Sequence, residues 1–185
     1  MADLSESRVL QCRPFSYVGV DYAGPIPMRD NKLRKSRTYK AYIAVFVCMS
    51  VKAVHLELVS DLSTPAFLAA FDRFVARRGL PTTVYSDCGT NFVGADRQLR
   101  QLINNPAAQS IITLGKSYCD WKFNPPSAPH FGGLWEAAVR SCKRLLVRIM
   151  GAHEFTYEEF TTVLCRVEAV LNSRPLTPAS TDPYL

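Results

Sequence analysis

Three acidic residues stand in settings that ask for a partner: Asp21 within Tyr17-Val18-Gly19-Val20-Asp21-Tyr22, Asp87 within Tyr85-Ser86-Asp87-Cys88-Gly89-Thr90-Asn91-Phe92, and Glu136 within Phe131-Gly132-Gly133-Leu134-Trp135-Glu136. A carboxylate set among apolar strand residues is costly to desolvate unless a cation or hydrogen bonds offset the cost. Mg²⁺ takes one or two carboxylates plus phosphate oxygens and water, and a pair of such ions can activate an attacking oxygen while stabilising a leaving one. The chemistry these acids suit is therefore that of a phosphodiester. Each also has a plain reading when taken alone. Asp87 before Cys88-Gly89 closes an Asx turn, Glu136 complements a helix N-terminus, and Asp21 is a hydrogen-bonded structural acid.

What favours a shared site is the order of elements that would carry the three acids. Tyr17 to Tyr22 reads as a strand, ended by Ala23-Gly24-Pro25-Ile26-Pro27 and followed by a basic loop. Tyr39–Met49 and Ala53–Val59 are rich in β-branched and aromatic residues, with Val54, Leu56 and Leu58 on one face, which suggests an antiparallel meander. The period then changes. Ser63 or Thr64 caps a helix with Pro65 in its first turn, a core stripe of Phe67, Leu68, Phe71, Phe74 and Val75, and Gly79 as its stop.

Thr82–Ser86 is a short strand that delivers Asp87 at its end. Ala95–Asn104 and Pro106–Leu114 read as helices, and Trp121–Phe123 as another strand. Three prolines and two glycines make residues 124–133 irregular, and a long helix follows to about Met150. The last helix runs from a Thr156 cap, with Glu159 completing a capping box, to about Asn172. This order is that of an α/β domain with a five-stranded sheet and helices packed on it. If the first and fourth strands are neighbours, Asp21 and Asp87 converge.

At 185 residues, 48% hydrophobic and 21% charged, the chain has the composition of one folded domain. A net charge of +6 favours an acidic partner, most simply a phosphate backbone. The six cysteines form no CxxC pair and do not combine with His55, His130 and His153 at zinc-finger spacing. They read as reduced and mostly buried thiols. The longest apolar stretch, Ala41–Val51, is far short of the roughly 20 residues a membrane helix needs, so no membrane association is expected. No apolar signal core opens the chain, and its ends suggest a piece of something longer.

Cations gather twice. At about 100° per residue, Glu136, Arg140, Lys143 and Val147 share one sector of the long helix with Arg144 beside it, opposite Ala138, Cys142, Leu145 and Ile149. Arg140, Lys143 and Arg144 are thus candidate phosphate contacts, against the plain reading of a solvated face. Arg29, Lys32, Arg34, Lys35, Arg37 and Lys40 form a second basic cluster in a hairpin loop, where solvation is the commoner role. Asn91, Ser127 and His130 flank the acids and are candidates for positioning DNA or the loop before Glu136. Mg²⁺ prefers oxygen, which argues against His130 as a metal ligand.

Val20-Asp21-Tyr22-Ala23-Gly24-Pro25, Ser86-Asp87-Cys88-Gly89-Thr90-Asn91-Phe92 and Pro129-His130-Phe131-Gly132-Gly133-Leu134-Trp135-Glu136 closely resemble the motifs of retroelement integrase catalytic cores, especially those of Pao/BEL-type LTR retrotransposons. The resemblance spans about residues 13–180. It implies an RNase H-like fold, with a five-stranded mixed sheet flanked by helices, and a catalytic core over 14–180. Residues 1–13 would be an N-terminal extension or linker, and 181–185 the tail of a truncated chain. It further implies a DDE triad of Asp21, Asp87 and Glu136 that holds two Mg²⁺ or Mn²⁺ ions.

The reactions implied are trimming of the 3′ ends of element DNA by water and attack of the new 3′ hydroxyls on target DNA. The partners implied are element ends, target DNA, further copies of the chain and an unidentified host tethering protein. The expected location is the nucleus, preceded by cytoplasmic virus-like particles. Forty-eight residues separate Asp87 from Glu136, a longer gap than retroviral integrases have and one that resembles Pao/BEL elements. The zinc-binding and C-terminal DNA-binding domains usual in the family are not recognisable.

Two other functions fit the same fold. An RNase H-type or resolvase-like nuclease would typically take a further acid from the first helix, where Asp72 sits between Phe71 and Arg73 without helpful neighbours. A non-catalytic core would bind DNA or assemble oligomers without turnover.

Overall fold

The computed structural model describes residues 12–33, 35–103, 119–123, 129–150 and 153–174, with backbone alone for 102–103, 129–136 and 150. The expected helix over Pro106–Leu114 and Ser127 lie outside these residues. The element order is β1 (Tyr17–Arg29), β2 (Thr38–Cys48), β3 (Val54–Val59), α1 (Thr64–Arg78), β4 (Thr83–Ser86), α2 (Thr90–Ile103), β5 (Asp120–Phe123), α3 (Pro129–Met150) and α4 (Tyr157–Asn172).

The five strands form one mixed sheet in the order β3-β2-β1-β4-β5. β1, β2 and β3 make the expected antiparallel meander, while β4 runs parallel to β1 and β5 parallel to β4. Each face of the sheet carries its own core. On one side Ala23, Ile43, Val45, Val47, Leu56 and Leu58 pack against Ala138, Val139, Cys142 and Leu146 of α3 and Phe160, Leu164 and Val167 of α4. On the other, Val18, Val20, Ala44, Phe46 and Val84 meet Phe67, Ala70, Phe71 and Phe74 of α1 and Phe92 of α2. Phe46 and Phe74 stack with centroids 4.4 Å apart.

Local signals account for the helix limits. Ser63 Oγ accepts the Ala66 N–H, Pro65 occupies the first turn where its missing donor is not needed, and the Gly79 N–H closes the helix on Val75 O. Thr156 and Glu159 form the capping box of α4, each satisfying the other's backbone N–H.

Three expectations are corrected. β1 does not stop at Tyr22: it continues through Gly24, Pro25 and Pro27 to Arg29, with a register shift against β2 between Ala23 and Ile26. The physical reason is that β4 pairs only with Tyr17–Gly19, so Pro25 and Pro27 leave no ladder bond to β4 unmade, and beyond them the Arg29 N–H donates to Phe155 O at 3.0 Å. Gly24 absorbs the irregularity at φ +138°, a conformation that suits glycine, and an added Cβ would sit 3.0 Å from Tyr42 Cδ1. α2 begins at Thr90, not Ala95, directly after the Asp87 loop. α3 starts at Pro129, so Pro129-His130-Phe131-Gly132-Gly133 is helical; proline is compatible with a first helical position, and glycine weakens a helix without forbidding it.

The outer edge of the sheet is closed by side chains. Asn172 Oδ1 accepts the Val54 N–H and its Nδ2 donates to Val54 O, both at 2.8 Å. Glu168 Oε2 accepts the Leu56 N–H at 2.8 Å, and Arg73 Nη2 donates to Leu58 O at 2.9 Å. Behind this edge lies a buried polar cluster that the alternating sequence did not reveal. His55 and Glu57 are 2% and 4% exposed, with His55 Nε2 2.9 Å from Glu57 Oε1. Arg73 and Arg77 donate to Glu57, and Arg78 pairs with Glu168.

Candidate active site

Asp21 owes its position to the alternation of β1. Val18 and Val20 belong to the core beneath α1, while Ala23 and the half-buried Tyr17 belong to the core beneath α3 and α4. Asp21 shares the second face, because side chains two apart on a strand point the same way. Its Oδ1 accepts the Tyr22 N–H at 2.7 Å.

Asp87 follows the last residue of β4. Tyr17, Val18 and Gly19 pair in parallel with Thr83, Val84 and Tyr85, and each of Asp21 and Asp87 stands two residues beyond the last of these pairs. Tyr85 packs on the side of α3 and α4 and Val84 on the side of α1, and Asp87 follows directly on the end of β4. A hydrogen-bond chain fixes the exit from β4: Trp121 Nε1 donates to Ser86 Oγ at 2.9 Å, and Ser86 Oγ donates to Asp87 O at 2.8 Å. Asp87 Oδ1 accepts the Gly89 N–H at 3.0 Å, which is the Asx turn expected from its sequence. The turn orients an exposed carboxylate.

Glu136 lies on the backbone of α3, one turn before Arg140. Asp21, Val139, Arg140, Lys143, Arg144 and Arg148 line a cavity of about 740 Å³ between β1 and α3. The helix that carries the third acid therefore runs alongside the first. Among the described residues no three His, Cys, Asp or Glu side chains gather into a metal site. The two described acids fit Mg²⁺ or Mn²⁺ in kind, as hard oxygen donors carried by β1 and by the exit of the neighbouring β4.

The candidate DNA contacts separate. Arg140, Lys143 and Arg144 are all exposed on α3. Ile149, expected to share the buried face of that helix, is 47% exposed, because the buried stripe consists of Ala138, Val139, Cys142 and Leu146. His130 is on the described backbone of α3, at its first turn. Asn91 is only 8% exposed in the first turn of α2, which sets its side chain inside the fold. A Cβ added at Gly89 would lie 2.8 Å from Asn91 Oδ1 and 3.0 Å from Asp87 Oδ1, so this glycine lets the two side chains approach from one side. Burial pushes the neighbouring Tyr22 phenol up to about 12, against a lowering influence of Asn91, while Tyr22 stacks on Phe92 at 5.2 Å.

Part of the hairpin cluster is engaged elsewhere. Lys32 Nζ is 2.9 Å from Glu159 Oε1 and Arg29 Nη2 is 3.8 Å from Glu159 Oε2, so these cations tie the hairpin to the start of α4. The cysteines are free, but only Cys48, Cys119 and Cys142 are buried; Cys88 and Cys165 are exposed and Cys12 lies between. No helix among the described residues is long and apolar enough to cross a membrane.

No protein-family model matches the sequence, and no curated protein matches it. Solved structures do. The HTLV-2 integrase catalytic core domain in complex with magnesium, in its dimeric form, is 16% identical over 91% of this chain and 93% of that one, with a TM-score of 0.52. The BIV integrase catalytic core domain gives 17% identity, 92% and 91% coverage and a TM-score of 0.53. The simian T-cell lymphotropic virus intasome in complex with the PP2A regulatory subunit B56 gamma gives 12%, 99% and 64%, with a TM-score of 0.55. The chain thus has the RNase H-like fold of retroviral integrase catalytic cores.

Proposed function

We propose that the chain is the catalytic core of a retroelement integrase of the Pao/BEL LTR type, which processes the 3′ ends of element DNA and joins them to target DNA. The observation that carries this reading is the β1–β4 register, which relates Asp21 to Asp87 on a fold similar to integrase cores. Asp21, Asp87 and Glu136 form the DDE triad and hold two Mg²⁺ or Mn²⁺ ions. Bound ions supply activation of the attacking water or 3′ hydroxyl and charge neutralisation at the leaving oxygen.

The chain's own residues do the rest. Asp21 offers oxygen donors from within β1 and Asp87 from the residue after β4, and Glu136 belongs to α3, whose later turns line the cavity beside Asp21. Arg140, Lys143 and Arg144 hold the phosphates of bound DNA, with Ser127 and His130 in the approach to Glu136. Asn91, being nearly buried, supports the loop that carries Asp87 and does not reach DNA itself. The core spans 14–180, between an extension over 1–13 and a tail over 181–185. It works as a homo-oligomer on element and target DNA, with a host tethering protein, in the nucleus after assembly in cytoplasmic virus-like particles.

A nuclease of the RNase H or resolvase kind is less well supported. Asp72 is exposed on α1, and α1 covers the face of the sheet opposite Asp21. The test is disintegration of branched DNA with Mn²⁺, comparing the wild type with Asp87→Asn. Integrase chemistry predicts joined and released products from the wild type alone. Equal signals, or none from either folded protein, contradict the assignment.

A further inference from the structure

Tyr22 stands beside Asp21 in sequence and beside the Asp87 loop in space. Its backbone N–H donates to Asp21 Oδ1 at 2.7 Å, while its ring packs on the other face of the sheet, against the core beneath α1. There it stacks on Phe92 of α2, with centroids 5.2 Å and planes 16° apart, and meets Phe67 and Tyr42 edge to face. Phe92 in turn belongs to the turn after Asp87. Its N–H donates to Gly89 O at 3.0 Å, and the Gly89 N–H donates to Asp87 Oδ1 at 3.0 Å. A chain of contacts therefore runs from one acid to the other through Tyr22, Phe92 and Gly89.

The backbone ladder does not make this connection, because the pairing of β1 with β4 ends at Gly19 and Tyr85, short of both acids. The Tyr22 hydroxyl is buried and has no hydrogen-bond partner among the described residues, so the rings carry the contact. We infer that Tyr22 is a positioning residue: its N–H orients the Asp21 carboxylate, and its ring holds Phe92 and with it the turn that orients Asp87. The inference rests on the reading of both acids as metal ligands and adds the residue that sets how they stand towards each other.

The experiment compares Tyr22→Leu, which removes the ring, with Tyr22→Phe, which keeps it. Phe74→Leu is the control, because it removes a ring of the same core whose stacking partner is Phe46. Amide exchange at Gly89 and Phe92 is followed by NMR without metal, and Mn²⁺ affinity by calorimetric titration. Tyr22→Leu should speed both amides and weaken Mn²⁺ binding about three- to tenfold, the range of one aromatic pair. Its strand-transfer activity should recover at saturating Mn²⁺. Tyr22→Phe should match the wild type in both readouts, and Phe74→Leu should lower the melting temperature without moving either. If Tyr22→Leu does not fold, Phe92→Leu opens the same stack from its other side and is read in the same way. Wild-type exchange and affinity without the stack overturn the inference while the metal reading stands. An equal change in Phe74→Leu reduces the effect to core stability, and an equal change in Tyr22→Phe moves it to the hydroxyl; either also overturns it. If the wild type takes up no Mn²⁺, the metal reading falls and the inference falls with it.

Discussion

Asp21 and Asp87 each stand two residues beyond the end of one parallel pairing, which sets Tyr17 beside Thr83 and Gly19 beside Tyr85. Two carboxylates so placed repel unless a cation lies between or beside them. Asp21→Asn or Asp87→Asn should therefore weaken Mn²⁺ binding and lower strand-transfer activity by at least about 10²-fold, since ion-mediated stabilisation is worth several kcal/mol. Melting temperature in metal-free buffer should stay level or rise. Calorimetric titration with Mn²⁺ checks this, and unchanged affinity in both variants would falsify the assignment.

Gly89→Ala tests the Asp87 loop apart from its charge. A new Cβ would press on Asn91 Oδ1 and Asp87 Oδ1 at 2.8 and 3.0 Å, so one or both must move. Activity should fall at least tenfold while stability drops by only about 1 kcal/mol, within the usual range for single substitutions. A variant as active as the wild type would mean that the loop tolerates displacement of Asp87.

The exposed cations of α3 should act through phosphate. Neutralising Arg140, Lys143 or Arg144 to Gln should reduce the slope of log affinity against log salt by about 0.9 for each duplex phosphate that no longer has its cation. An unaltered slope would assign them to an ordinary solvated face.

The cluster behind β3 gives stability a pH dependence. Burial lowers the His55 pKa, but hydrogen bonds to Glu168 and Glu57 outweigh it and raise the imidazole above its ordinary 6.5. Burial raises Glu57 and Glu168, yet their bonds to His55, Arg73 and the Leu56 N–H leave both below 4.5. The His55 contribution is complete below pH 6.5 and is lost as pH rises through the higher folded value; the carboxylate contribution is complete above 4.5 and is lost as pH falls through the lower folded values. Stability from this cluster should peak between these limits. In urea titrations His55→Gln should flatten the decline on the alkaline side, and Glu57→Ala should cost about 3 kcal/mol by leaving buried partners uncompensated.

Much of this architecture is legible in the sequence where local chemistry decides the outcome. Ser63, Gly79, Thr156 and Glu159 mark helix ends through their own backbone bonds, and Val54, Leu56 and Leu58 mark a buried face by alternation. What escapes is whatever a distant element supplies. Pro25 and Pro27 look like terminators because nothing nearby says that β4 will leave that edge open. His55 and Glu57 occupy the polar positions of an alternating strand, and nothing local tells that Arg73 and Arg77 on α1 donate to Glu57 there. For the site, Asp21 and Asp87 are visible as oddities of context, whereas the register that relates them exists only once β1 and β4 pair. Asn91 is nearly buried where Tyr22 of β1 stacks on Phe92 of α2, a contact with no local signature.

The amide of Asn172 imitates a strand. By giving to and taking from Val54 it occupies the place of the next backbone in the ladder, and Glu168 and Arg73 extend the imitation along β3. The β3 edge therefore cannot grow outward by accepting a neighbour's strand. It follows that the last turn of α4 guards against aggregation as well as packing on the core: removing Asn172 would uncover a templating edge on an otherwise intact fold.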